Sequence, residues 1–364
     1  MNKIVSILVL ASGLLLSCNS SSIQSDSFVE YTSVSAFFQL ADKLSLGTEP
    51  TEEEWAVLFE TQGYKKCIAE TFEERGVFTR QAMELAFNPA KVAEKDSVLS
   101  IPVVDIVSDW EALLLRVMLE NYMDIRKHQS AMKEYIHTMK SGELMLKSCQ
   151  RLADFLINPV DSLISPIPVS LVCMEPDALS LSGRIVWDCN AFYKHSEEEK
   201  VDVMAHEMFH AYRKHFAKSK ANDLIGLIDS WLNEGVADLI DKKSVSDLSL
   251  AFVRYGFPES YVEAYNEVYQ STPQTLKELE ELTLSFIHNK IEEKEYKSKL
   301  SDFEQYGGHP NGYYMTTTIK EAGYEKELIG SFYSPIEFMK LYNKSVAKEY
   351  VLGNEFMDYI ESLK

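Results

Sequence analysis

The chain is short of positive charge. Its 36 Lys and Arg stand against 56 Asp and Glu, a formal net charge of −20. That excess repels phosphate backbones and anionic headgroups. It argues against nucleic acid as a partner and against adsorption onto an acidic bilayer. Cysteine is scarce, five residues in 364. No two cysteines stand at the spacing of a metal knuckle, so no second, cysteine-built metal site is expected. Long hydrophobic runs are few. The apolar stretch from Ile4 to Leu16 is too short for an ordinary membrane span. Apolar residues still make up 46% of the chain, an ordinary globular share, and the length permits one large core or two sub-domains.

The short apolar stretch reads as a targeting signal, with Lys3 as its positive flank. It ends in Leu15-Leu16-Ser17-Cys18, which resembles a bacterial lipobox. The resemblance implies that residues 1–17 are a signal peptide and that Cys18 is lipidated. Residues 18–27, with Asn19-Ser20-Ser21-Ser22, then form a polar tether. The protein is expected at the bacterial cell envelope, periplasmic or surface-exposed, touching membrane through its lipid anchor only. Of the other cysteines, Cys173 and Cys189 flank a predicted hairpin. In an oxidising compartment they can pair, and equally they can be buried thiols.

Residues 28–165 read as a helical N-terminal lobe. Thr51-Glu52-Glu53-Glu54 has the form of a capping box. Amphipathic spacing continues over 72–87, 110–139 and 143–156. The region carries no motif with chemistry; His128 and His137 lie among charged residues and read as solvated. Pro159, Pro166 and Pro168 then break the helical period. Residues 169–173 and 183–188 read as short strands. Helix resumes over 259–305, with Pro258 and Pro273 marking starts. The expected fold is α+β, predominantly α-helical, with residues 166–364 forming a core and a helical C-terminal lobe around a small sheet.

The chemistry concentrates in Ala205-His206-Glu207-Met208-Phe209-His210, a His-Glu-x-x-His motif. Ser196 followed by Glu199 is a second capping box, so the motif lies on a helix. Histidines four apart on a helix point the same way and can close on one zinc ion. Glu207 sits beside them, placed to take a proton from water. Trp231-Leu232-Asn233-Glu234-Gly235-Val236-Ala237-Asp238 follows on what reads as the next helix. Catalytic zinc wants three protein ligands and one open position, and Glu234 is the candidate third. Asp238, one turn on, can accept the free ring N–H of a liganding histidine. Further along, the Gly- and Pro-punctuated stretch 306–315 carries His309, Tyr313 and Tyr314; a resemblance to gluzincin-like families, in which a helix here lines the cleft, implies that one of them donates to an oxyanion.

The two motifs together resemble the gluzincin metallopeptidases, the thermolysin-like branch of the zincins. The chain is similar, too, to lipoprotein families described as zinc-dependent peptidases. The resemblance runs from Pro168 to the region of Tyr313 and leaves the N-terminal third uncovered. It implies a zincin-like core with zinc on His206, His210 and Glu234 and with Glu207 as general base. It places Asn233 and Asp238 behind the ligands, Asp238 orienting His206. A strand shortly before the His-Glu-x-x-His helix resembles the edge strand that borders the cleft in zincins, and the resemblance makes Arg184 to Cys189, with Ile185, Val186 and Trp187 at its centre, the candidate for pairing with an extended peptide. The helix-to-helix gap is a few residues longer than in the family archetype. The function expected is zinc-dependent hydrolysis of a peptide or protein substrate. The alternative is a non-catalytic, lipid-anchored binding or scaffold protein whose zinc is structural or vestigial. Asp229, Asp238 or His215 would then fill the open position.

Overall fold

The computed structural model describes residues 28–106, 109–217, 222–242, 252 and 257–363. The signal segment, the tether and Cys18 lie outside these residues. The chain opens with a two-residue strand, β1 (Val29–Glu30), and runs through helices α1 (Thr32–Ser45), α2 (Glu52–Phe59), α3 (Gln62–Glu70), α4 (Arg75–Phe87), α5 (Val92–Ser100), α6 (Trp110–Thr138) and α7 (Ser141–Phe155). Three short strands follow: β2 (Val169–Val172), β3 (Ala178–Leu181) and β4 (Arg184–Asp188). The rest is helical: α8 (Cys189–Lys194), α9 (Glu197–Arg213), α10 (Asp223–Asp241), α11 (Glu259–Ile287), α12 (Glu293–Leu300), α13 (His309–Glu321), α14 (Glu325–Gly330), α15 (Pro335–Ser345) and α16 (Asn354–Ser362). The fold is α+β and predominantly α-helical. A continuous apolar core joins both halves, from Val29 in β1 to Ile360 in α16.

Local chemistry explains the helix starts. Thr51 and Glu54 at the head of α2, and Ser196 and Glu199 at the head of α9, each close a reciprocal capping box. Two backbone N–H groups are satisfied at each. At Pro273 the structure differs from the expectation of a helix start. Pro273 lies inside α11, where its missing N–H breaks one helical hydrogen bond. The Thr272 hydroxyl, beside it, bonds to the Val268 carbonyl and to Asn311 Oδ1 at 2.9 Å. Burial of this stretch against α13 outweighs the lost bond.

The sheet order is β1-β2-β4-β3. β1 and β4 flank β2 in parallel, and β3 returns antiparallel to β4 across a turn at Gly183, whose φ is +73°. This order corrects the edge-strand expectation. Ile185, Val186 and Trp187 are central, paired on both sides and buried. Their unbroken apolar run is the signature of a strand covered on both faces. The outer strands are β1 and β3.

The helices that matter for chemistry meet at one place. α9 packs on α7, on α10 and against β3, and α10 packs on α13. The α10–α13 crossing is unusually close. A Cβ on Gly235 would stand 2.3 Å from the Gly312 carbonyl oxygen, and one on Gly312 would stand 2.1 Å from the Trp231 carbonyl oxygen. Only hydrogen fits at either position. α13 is entered through a left-handed run, Tyr306 (φ +50°), Gly307 (+64°) and Gly308 (+89°), which turns the chain so that His309 opens the helix.

Candidate metal centre

Five side chains converge between α9, α10 and α13. His206 and His210 lie on one face of α9 with rings 4.9 Å apart. Glu234 reaches across from α10: its Oε2 is 3.3 Å from His210 Nε2 and 4.0 Å from His206 Nε2. His309, from the start of α13, brings its own Nε2 to 3.3 Å from the same oxygen. Glu207 Oε1 is 4.0 Å from His206 Nε2. The α9 residues are buried, whereas the His309 side chain is 34% exposed. His309 is thus the member of the group that meets solvent.

Two imidazole nitrogens and a carboxylate oxygen are the donor types zinc takes, with bonds of about 2.0–2.2 Å. Tetrahedral donors at that radius stand about 3.3–3.5 Å apart. The separations of 3.3 and 4.0 Å are close to such edges. His210 Nδ1 is buried with no hydrogen-bond partner. In donor type and in these two separations His206, His210 and Glu234 fit the metal; His206 with Glu207 and His210, and His206 with Asp238 and Asp241, also lie within mutual reach as metal-capable groups.

The acids behind the imidazoles are arranged differently from expectation. His206 Nδ1 bonds to Asp241 Oδ1 at 2.9 Å. Asp238 is farther off, 3.7 Å from the same nitrogen, and takes His309 instead, with Nδ1 at 3.1 and 3.2 Å from its two oxygens. Asp241 thus turns His206, and Asp238 turns His309. Each contact favours the tautomer that leaves Nε2 directed inward. Lys242 ties the two acids together, its Nζ 2.6 Å from Asp238 Oδ1 and 3.1 Å from Asp241 Oδ2. Asn233 Nδ2 donates to Glu234 Oε1 at 2.8 Å, fixing the carboxylate. Asp241 and Lys242 were not singled out from sequence, yet Asp241 continues the helical spacing of Glu234 and Asp238 by one more turn.

Burial and charge set the protonation pattern. Burial pushes the Glu207 carboxyl up to about 8; His210 and His309 oppose the rise, and Asp177 and Glu234 add to it. Burial also holds His206 below its usual value despite Asp241. For His210 burial works downward but Glu234 prevails, lifting it to about 9. Asp238 and Glu234 lift His309 to about 9 in the same way. Glu234, Asp238 and Asp241 are buried too, yet the cations facing them keep all three below the usual carboxylate range. His309 is therefore cationic near neutral pH, and the Glu207 carboxyl keeps its proton to higher pH than a free glutamate.

The remaining candidates lie outside this convergence. The Tyr313 hydroxyl donates to the Lys242 carbonyl at 3.2 Å, within an aromatic cluster with Tyr265. Tyr314 packs its ring against Tyr269. Asp229 forms a buried fork with Arg213, and His215 is exposed. Asp238 approaches His206 from the Nδ1 side only.

The sequence profile of a protein family described as "Putative zinc dependent peptidase (DUF5700)" matches residues 55–350. The match begins in α2 and so takes in the N-terminal helices as well as α9, α10 and α13. No curated protein and no solved structure matches the chain.

Proposed function

The chain belongs to this family, and from that premise we propose that it is a gluzincin-type zinc metallopeptidase hydrolysing a peptide or protein. The observation that carries the reading is the convergence of His206 Nε2, His210 Nε2 and Glu234 Oε2 beside Glu207. His206, His210 and Glu234 would hold the metal. When bound, zinc supplies Lewis acidity toward water and toward a carbonyl oxygen.

The chain's own residues do the rest. Glu207 takes a proton from the attacking water and passes it to the leaving nitrogen. A carboxyl pKa raised by burial suits the second transfer, the gift of the proton to the leaving nitrogen. His309 donates from Nε2 to the oxyanion that forms on the scissile carbonyl, held in place by Asp238. The free edge of β3, beside α9, is the place for an extended substrate to add by main-chain hydrogen bonds. We further propose that residues 1–17 are cleaved and that Cys18 and residues 18–27 tether residues 28–364 to the cell envelope.

The test is metal content together with cleavage of a mixed peptide library. Glu207→Gln should keep zinc and fold while hydrolysis is lost; retained hydrolysis would remove Glu207 from the chemistry. One observation favours a second reading. His309 Nε2 stands as near Glu234 Oε2 as His210 does, 3.3 Å, so His309 can be a fourth ligand closing a structural zinc site. In His309→Ala, zinc retained with slowed hydrolysis supports the donor role; zinc lost supports the closed site and a binding or scaffold protein.

A further inference from the structure

The four cysteines among the described residues are of two kinds. Cys67 lies on α3 and Cys149 on α7. Cys173 and Cys189 lie together, both fully buried, with Sγ atoms 2.9 Å apart. Sheet register puts them there. Val172 and Asp188 are the last residue pair of the parallel β2–β4 ladder, and the two cysteines are the next residue on each side. Neighbouring strands lie about 4.8 Å apart, inside the Cα separation of about 4.4–6.8 Å that a disulfide spans.

The surrounding network fixes this approach. The Cys173 carbonyl accepts from the Tyr64 hydroxyl at 2.6 Å and from the Tyr122 hydroxyl at 2.7 Å. Asp188, immediately before Cys189, caps α8 by accepting from the Asn190 and Ala191 N–H groups. Both backbones are therefore held where the two sulfurs meet.

We infer that Cys173 and Cys189 form a disulfide when the chain folds in contact with a disulfide oxidant, such as an oxidised glutathione-type disulfide or a dithiol oxidase. One cysteine thiolate attacks the oxidant's S–S bond, which breaks and releases one thiol. The second cysteine then attacks the mixed disulfide, releasing the other thiol. The cysteines lose two electrons and two protons, and the oxidant's sulfurs gain them. Burial pushes both thiols up in the folded chain, which leaves little thiolate for exchange. The bond thus forms before this end of the sheet closes, and afterwards it is shielded from reductants. It staples the segment leading to β3 to the start of α8, and α8 leads directly into the His-Glu-x-x-His helix.

The full chain, produced without processing so that Cys18 keeps its free thiol, is unfolded and refolded in a glutathione redox pair or in reductant to test this. Free thiols are then alkylated in denaturant, weighed and mapped. In the oxidised sample, three of the five cysteines should take the label, with one cross-linked peptide joining residues 173 and 189. Its thermal midpoint should exceed that of the reduced sample by about 5 °C, a gain absent from Cys173→Ala/Cys189→Ala. The Cys67→Ala/Cys149→Ala variant should still form the cross-link, which guards against misfolding of the first variant. Five labelled cysteines after oxidative refolding, or a cross-link between any other pair, would overturn the inference.

Discussion

Gly312→Ala adds a single methyl at the tightest point between α10 and α13. The added carbon would lie 2.1 Å from the Trp231 carbonyl oxygen and 2.8 Å from the Gly235 nitrogen. Non-bonded carbon contacts relax at about 3.5 Å, so the helices must part by more than 1 Å. The atoms it meets are backbone, which cannot swing aside as a flexible side chain can. Overpacking in a core costs about 1–3 kcal/mol, and this site belongs at the upper end. The displaced helix carries His309, whose contacts to Asp238 and Glu234 are 3.1 and 3.3 Å. A misplacement of about 1 Å at a reacting group lowers turnover about a hundredfold. Equilibrium urea unfolding gives the stability change and peptide hydrolysis gives the rate. Gly330→Ala is the control, because a Cβ there meets nothing within 4 Å. Native stability and native turnover in Gly312→Ala would refute the close crossing and the link drawn from it to His309.

Other outcomes follow from the same geometry. Asp241→Asn should weaken zinc binding about 10–100-fold in a chelator competition, because Asp241 and not Asp238 bonds to His206; unchanged affinity would return that role to Asp238. Lys242→Met leaves Asp238 and Asp241 buried without their shared cation, and should destabilise the fold by about 3–5 kcal/mol in chemical denaturation. His210 is lifted to about 9 in the metal-free chain, so it must shed a proton to bind metal. Zinc affinity should therefore fall about tenfold per unit as pH drops below that value, read by competition titration at several pH values. Burial lowers His195 from 6.5 to about 4. The unfolded chain binds the extra proton first, so this stability is complete above pH 6.5 and is lost as pH falls toward 4. The loss approaches about 3 kcal/mol, and the urea midpoint of His195→Gln should show a shallower acid dependence than that of the parent chain.

Much of the centre was legible because it is local. A capping box and a four-residue spacing place His206 and His210 on one face of a helix whatever the rest of the chain does. Glu234 follows because helices joined by a short connection pack side by side. What sequence left hidden is non-local. Strand order depends on which segments meet, so the edge role fell to Ile185–Trp187 when their continuous apolar character marks a central strand. Asp241 lies on the readable face of α10, but its choice of His206 over Asp238 depends on the rotation between α9 and α10. The ranking of His309 against Tyr313 was open for the same reason. A side chain's direction at a helix start is set by the left-handed turn ahead of it, and by two glycines that let α10 come close.

The two-residue strand at the beginning of the described chain has a spatial consequence. Val29 pairs beside Val169, and Val169 beside Ile185, at one end of the sheet. Asp177, whose charge is felt at Glu207, bonds through its carbonyl to Asp188 at the opposite end. The strands between them rise about 3.3 Å per residue. The described chain therefore enters the sheet at the end opposite the one from which the Asp177 charge reaches Glu207.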